Sequence, residues 1–129
     1  MAARVGWYDT DDTTALTAID LGAVPPGQDY FTRNGVYKEV RVKNDGTEDF
    51  ANIDVEVQQN GAYDAYLYLR IAPDSGGTPG AFQDQAANPL TLGALTQGNV
   101  HPVWIDVIVP GGAAAETGQR GNLVTIASI

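Results

Sequence analysis

Hydrophobic and polar positions alternate most regularly in two neighbouring segments, residues 36–43 and 51–57. In the first, Val36, Val40 and Val42 share one face, with Lys38 the exception, while Tyr37, Glu39, Arg41 and Lys43 share the other. In the second, Ala51, Ile53, Val55 and Val57 alternate with Asn52, Asp54 and Glu56. Period two marks a strand with one face on a core and the other in water. Between them, Asn44-Asp45-Gly46 supplies residue types that tolerate positive φ, so the pattern predicts a strand, a reversing turn and a second strand.

The same alternation recurs further along. Over residues 103–109, Val103, Ile105, Val107 and Val109 point one way and Trp104, Asp106 and Ile108 the other. Over residues 66–71, Leu67, Leu69 and Ile71 oppose Tyr66, Tyr68 and Arg70. Shorter strands are predicted over 4–8, 15–21 and 123–126. Residues 28–35 read as a loop, residues 73–89 as a long irregular insertion, and residues 110–121 as the last loop. The run from Leu90 to Gly98 echoes Leu21-Gly-Ala-Val-Pro-Pro-Gly27, which suggests two similar hairpin corners. No segment carries a convincing amphipathic helical period. The fold class expected is all-β, a two-sheet antiparallel sandwich, with an N-terminal arm over 1–14 and one domain over 15–129. Its predicted core contains Val40, Val42, Ile53, Val55, Leu67, Leu69, Ile105 and Val107.

Composition narrows the class. At 129 residues the chain is long enough to bury a core without staples, and with no cysteine it has neither disulfides nor a thiolate metal or redox site. Seven Lys and Arg against sixteen Asp and Glu give a net charge of −9, which repels a phosphate backbone over most of the surface. Direct nucleic-acid binding is not expected. The first residues lack an apolar signal core, and no window approaches the roughly 20 apolar residues that span a bilayer. Cytosolic synthesis with no membrane partner is the expectation.

Candidate chemistry changes this picture little. Asp9, Asp11 and Asp12 are close enough to suggest calcium, but a calcium-binding loop of the EF-hand kind needs Gly at its sixth position and Glu at its twelfth, where Thr14 and Asp20 stand. An acidic solvated turn is the simpler reading. His101 is the one histidine, and neither Ser75 nor Ser128 sits in a nucleophile elbow. Gly76-Gly77 lacks the Lys-Ser/Thr that a phosphate loop requires. No enzymatic activity and no cofactor are expected, although spacing in sequence says nothing about a spatial pair of carboxylates. What remains is contact chemistry, because Tyr, Trp and Arg are favoured at protein interfaces. The N-terminal candidates are Arg4, Trp7 and Tyr8, and the loop candidates are Tyr30, Phe31 and Phe82. Tyr66, Tyr68, Arg70 and Trp104 are candidates on strand faces, where ordinary cross-strand packing is the competing reading.

The run Ala18-Ile-Asp-Leu-Gly-Ala-Val-Pro-Pro-Gly27, the Val-x-Val strand, Asn44-Asp-Gly46, Leu95-x-x-Gly98 and Val-Trp-Ile-Asp-Val-Ile-Val-Pro110 resemble the immunoglobulin-like sandwiches of the Hydin and CARDB type. The likeness covers most of residues 15–129; the insertion at 73–89 and the first 14 residues depart from it. A free-standing module of this kind, with no signal peptide, resembles the small accessory proteins of tailed-phage particles. That resemblance implies a virion protein decorating the capsid, with the viral major capsid protein and further copies of itself, a trimer among the options, as partners. Tail or baseplate placement is the alternative, as is a carbohydrate- or host-surface-binding module that stacks sugars on Trp104, Tyr66 and Tyr68.

Overall fold

The computed structural model describes residues 5–113 and 119–129, so Arg4 and part of the last loop lie outside the described residues. The described residues form an all-β sandwich of two antiparallel sheets. The larger sheet contains β1 (Val5–Tyr8), β2 (Lys38–Asn44), β4 (Leu69–Ser75), β5 (Thr78–Pro79) and β7 (Val100–Val107), in the order β1-β2-β7-β4-β5. The smaller contains β3 (Phe50–Gln59), β6 (Leu90–Leu95) and β8 (Gly121–Ser128), in the order β6-β3-β8. A five-residue helix, α1 (Tyr30–Asn34), lies where a loop was expected.

The core is the seam between the inner faces. Val40, Val42, Ile71, Val103 and Ile105 of the larger sheet meet Ile53, Val55, Val57, Leu90 and Leu95 of the smaller, all buried. Burying each such side chain contributes roughly 1.5–3 kcal/mol. Val40, Val42, Ile53, Val55, Leu69 and Ile105 stand where the alternation put them. Val107 is only half-buried, at the rim. Leu67 is 39% exposed, because residues 64–68 wind into a 3-10 turn instead of a strand. The Leu67 N–H donates to Asp64 O at 2.9 Å, and Gln119 Oε1 accepts the N–H groups of Asp64 and Ala65. The strand therefore starts at Leu69, and Tyr66, Tyr68 and Arg70 do not line one strand face.

The expected reversal at Asn44-Asp45-Gly46 is instead a crossing from one sheet to the other, since β2 and β3 are not neighbours. Positive φ is not what it needs: none of the three residues has it. Asn44 is fully buried; its Nδ2 donates to Glu48 O at 2.7 Å and Leu95 O at 3.0 Å, while Oδ1 accepts the Gly46 N–H. One amide thus ties the end of β2 to β6. Asparagine suits the place because its side chain donates twice and accepts at the same time.

Three further expectations change. Residues 15–21 make one bridge, Tyr8 to Ala15, and then leave the ladder as a strap whose Leu16, Ile19 and Leu21 pack on the core. The two expected hairpin corners are therefore unlike each other, since residues 90–95 are β6. The short strand expected over 4–8 is present as β1, an edge strand paired with β2 from Val5↔Asn44 to Tyr8↔Arg41, which joins the N-terminal segment to the larger sheet. In the supposed insertion, β4 runs to Ser75, turns through Gly76 and Gly77 at φ 64° and 92°, and returns as β5. Two consecutive left-handed residues are what a tight I′ hairpin demands, which explains the glycine pair.

Candidate functional site: an aromatic platform on the larger sheet

Because Val103 and Ile105 point inward, Trp104 and Asp106 point to the outer face of the larger sheet. Trp104 lies opposite Glu39 on one side and Ala72 on the other, and Asp106 lies opposite Arg70. The alternation sets Asp106 on the face opposite the core, yet only 5% of it is exposed. Its Oδ1 accepts the N–H groups of Phe31 at 3.2 Å and Val107 at 2.9 Å, so the carboxylate fastens α1 down onto β7. Burial pushes the Asp106 carboxyl up; those amides oppose the shift and the Asp29 carboxylate adds to it.

The helix is short and held at both ends. Asp29 caps its start by accepting the Thr32 N–H, and Gly35 closes it by donating to Phe31 O at 2.8 Å. Pinned in this way, α1 stacks Phe31 on Tyr37, with ring centroids 4.2 Å apart and planes 23° from parallel. Phe82 also packs against Tyr37, with ring centroids 4.8 Å apart and planes tilted by 39°. Phe82 is held by the return of the chain beside β4, where Ile71 and Gln83 exchange backbone hydrogen bonds. Trp104 Nε1 donates to Asp74 Oδ1 at 3.1 Å. Phe31 keeps 38% of its surface exposed. The arrangement presents aromatic faces on a rigid sheet with carboxylates at their margin. Such a surface can pack against a partner side chain or stack on a ring.

The predicted contact residues divide accordingly. Phe31, Phe82, Arg70 and Trp104 belong to this face, with Tyr30 half-buried on α1. Arg70 Nη1 is used internally, donating to Leu67 O and Leu69 O. Tyr8 donates its hydroxyl to Asp45 at 2.7 Å, and Lys43 Nζ lies 5.2 Å above its ring. Trp7 and Tyr66 pack on the core. Trp7 and Tyr68 also line a cleft of about 1000 Å³ between the strap at 16–26 and the rim residues Val107 and Leu123. Tyr66 and Tyr68 are thus no part of the platform. Tyr37 and Asp106, on which the platform depends, were not singled out; the one signal was their place on the outward phase of two alternating strands.

The acidic turn is a closed local structure. Asp11 accepts from the N–H groups of Thr13 and Thr14 and from the Thr14 hydroxyl, which hold its carboxyl well below the usual range, the hydroxyl most strongly. Asp12 pairs with Arg41 at 3.0 Å. His101 Nε2 engages Ala94 O at 2.7 Å. Among the described residues no group of three or more His, Cys, Asp or Glu side chains converges as a metal site would require.

Scans against protein-family models, curated proteins and solved structures each returned no match. The chemistry of the surface is therefore the guide to function.

Proposed function

We propose that this protein is a structural component of a tailed-phage particle, an immunoglobulin-like decoration protein that binds the assembled head shell and clamps neighbouring major capsid protein subunits. The observation that carries this reading is the Phe31–Tyr37–Phe82 stack, displayed on a sheet and locked by a buried carboxylate. A preformed aromatic surface loses little side-chain freedom on docking, which is what a passive clamp needs. The net charge of −9 agrees with a position away from packaged genome. In this role the protein binds mature shells better than unassembled shell protein, because only the former presents composite sites, and it stabilises the bound state by linkage.

The test compares particles with and without the protein on heating, with genome release as readout. A higher release temperature with the parent protein, lost in Phe31→Ser/Tyr37→Ser, is expected; equal temperatures in all three samples would remove the reading. The Trp104–Asp74 contact beside stacked rings favours a second reading, in which the face binds carbohydrate, since sugar recognition joins an aromatic plane to polar side chains. Its platform would be Phe31, Tyr37, Phe82 and Trp104, and a glycan array distinguishes it.

A further inference from the structure

The ends of the two sheets differ in how they are finished. β1 has four residues and β5 two, too short to template another strand. β6 is broken by register shifts against β3 and by Gly93 at φ 89°, a bulge that twists an edge away from partners. β8 has none of these devices. It runs eight residues in unbroken register with β3, and Gly-Asn-Leu-Val-Thr-Ile-Ala-Ser contains no charge and no proline. Among the described residues no strand or bridge lies along its other side. Ile126 is 47% exposed and Ile129 77%.

We propose that this edge pairs with β8 of a second copy, antiparallel about a two-fold axis at Thr125, fusing two three-stranded sheets into one. The register follows from the faces. Leu123, Thr125 and Ala127 lie opposite the inward Val57, Val55 and Ile53, so Asn122, Val124, Ile126 and Ser128 point outward. An axis at Thr125 sets Val124 against the partner's Ile126, and Asn122 against the partner's Ser128. Apolar meets apolar at the centre and polar meets polar at the ends. A shift by one residue would set outward side chains beside inward ones. Axes at Val124 or Ile126 would mix apolar with polar, and cross-strand pairs favour like character.

Charge selects a second copy over an acidic or basic partner strand, because the edge has no charged side chain with which to recognise one. The same property lets two chains of net charge −9 approach here. The nearest acidic residues on this face, Asp54 and Glu56, lie one strand in. Three strand spacings of about 4.8 Å separate them from their counterparts, some 14 Å. That exceeds the Debye length of about 8 Å at physiological salt. The contact is isologous and closes as a dimer, not a trimer. It is independent of where the protein acts, since it concerns the isolated chain.

The absence of cysteine supplies the experiment. Sedimentation of the parent protein is expected to give twice the 13.6 kDa chain mass. Thr125→Cys should crosslink to a dimer under mild oxidation, whereas Asn122→Cys should do so only when combined with Ser128→Cys. The variant Val124→Lys/Ile126→Lys places each lysine beside its cross-strand carboxylate, Glu56 or Asp54, which preserves the sheet while crowding four cations at the axis. It should sediment as a folded monomer, with a parental circular dichroism spectrum. A parent protein that sediments as a monomer, a double-lysine variant that remains dimeric, or a Thr125→Cys protein that fails to crosslink would each overturn the proposal.

Discussion

The two sheets share a core but treat their outer sides differently. The larger one covers its outer face with α1 and the aromatic stack and ends in short strands. The smaller one leaves Asn52, Asp54, Glu56 and Gln58 facing water and ends in a strand that, among the described residues, is paired on one side only. Inner faces are therefore interchangeable hydrophobic surfaces, whereas outer faces and edges carry the individuality of each sheet. This is where function is to be sought, because an apolar inner face can only be buried, while an outer face is free to hold a charge, a ring or an unpaired backbone.

The sharpest way to break the comparison is to charge the shared core. Val55→Asp, at a fully buried site on β3, should cost at least several kcal/mol and unfold a domain whose total stability is typically about 5–15 kcal/mol. A denaturation midpoint equal to the parent's would refute the shared core. Next in size is the bond across the seam. Asn44→Ala leaves the carbonyls of Glu48 and Leu95 without this donor and should cost about 2–4 kcal/mol, measured by urea unfolding.

A smaller effect separates the covered outer face from the solvated acidic turn. The raised carboxyl of Asp106 means that the folded state binds its proton more readily than the unfolded chain does, so its contribution to stability improves as pH falls through the raised value. Asp106→Asn, which keeps an oxygen for both amides, should be more stable than the parent at neutral pH, with the difference vanishing in acid. Asp11 behaves in the opposite sense. Its depressed carboxyl favours folding above the ordinary carboxylate range and loses that contribution as pH falls toward the lowered value. Asp11→Asn should thus be less stable than the parent at neutral pH and converge with it in acid. Thermal melts across pH 3–7, on the scale of carboxylate titration, check both signs. The smallest effects belong to the solvated outer positions. Glu56→Ala, one residue from Val55, should change stability by no more than about 0.5 kcal/mol. Arg41→Ala, which breaks the part-exposed pair with Asp12, should cost less than about 1 kcal/mol.

The amino-acid sequence by itself determined which side chains form the core of β2, β3 and β7, because period two is a local property of an extended chain with one buried face. It also determined the class, since no segment has the period of a long helix. It did not determine which strands are neighbours. Asn44-Asp45-Gly46 has the composition of a reversal, yet its role as a crossing depends on the Leu95 carbonyl, 51 residues away. The strap at 16–26 kept its apolar Leu16, Ile19 and Leu21 on the core but left the ladder after the single Tyr8–Ala15 bridge. The platform was legible only in fragments: Phe31 and Phe82 as loop aromatics, Trp104 as an outward residue. Tyr37 joined them through contacts to residues 6 and 45 positions away, and Asp106 was buried by a helix from 75 positions earlier. Alternation reports the face a side chain takes on its own strand. What then covers that face is decided by long-range packing, and only the tertiary structure contains it.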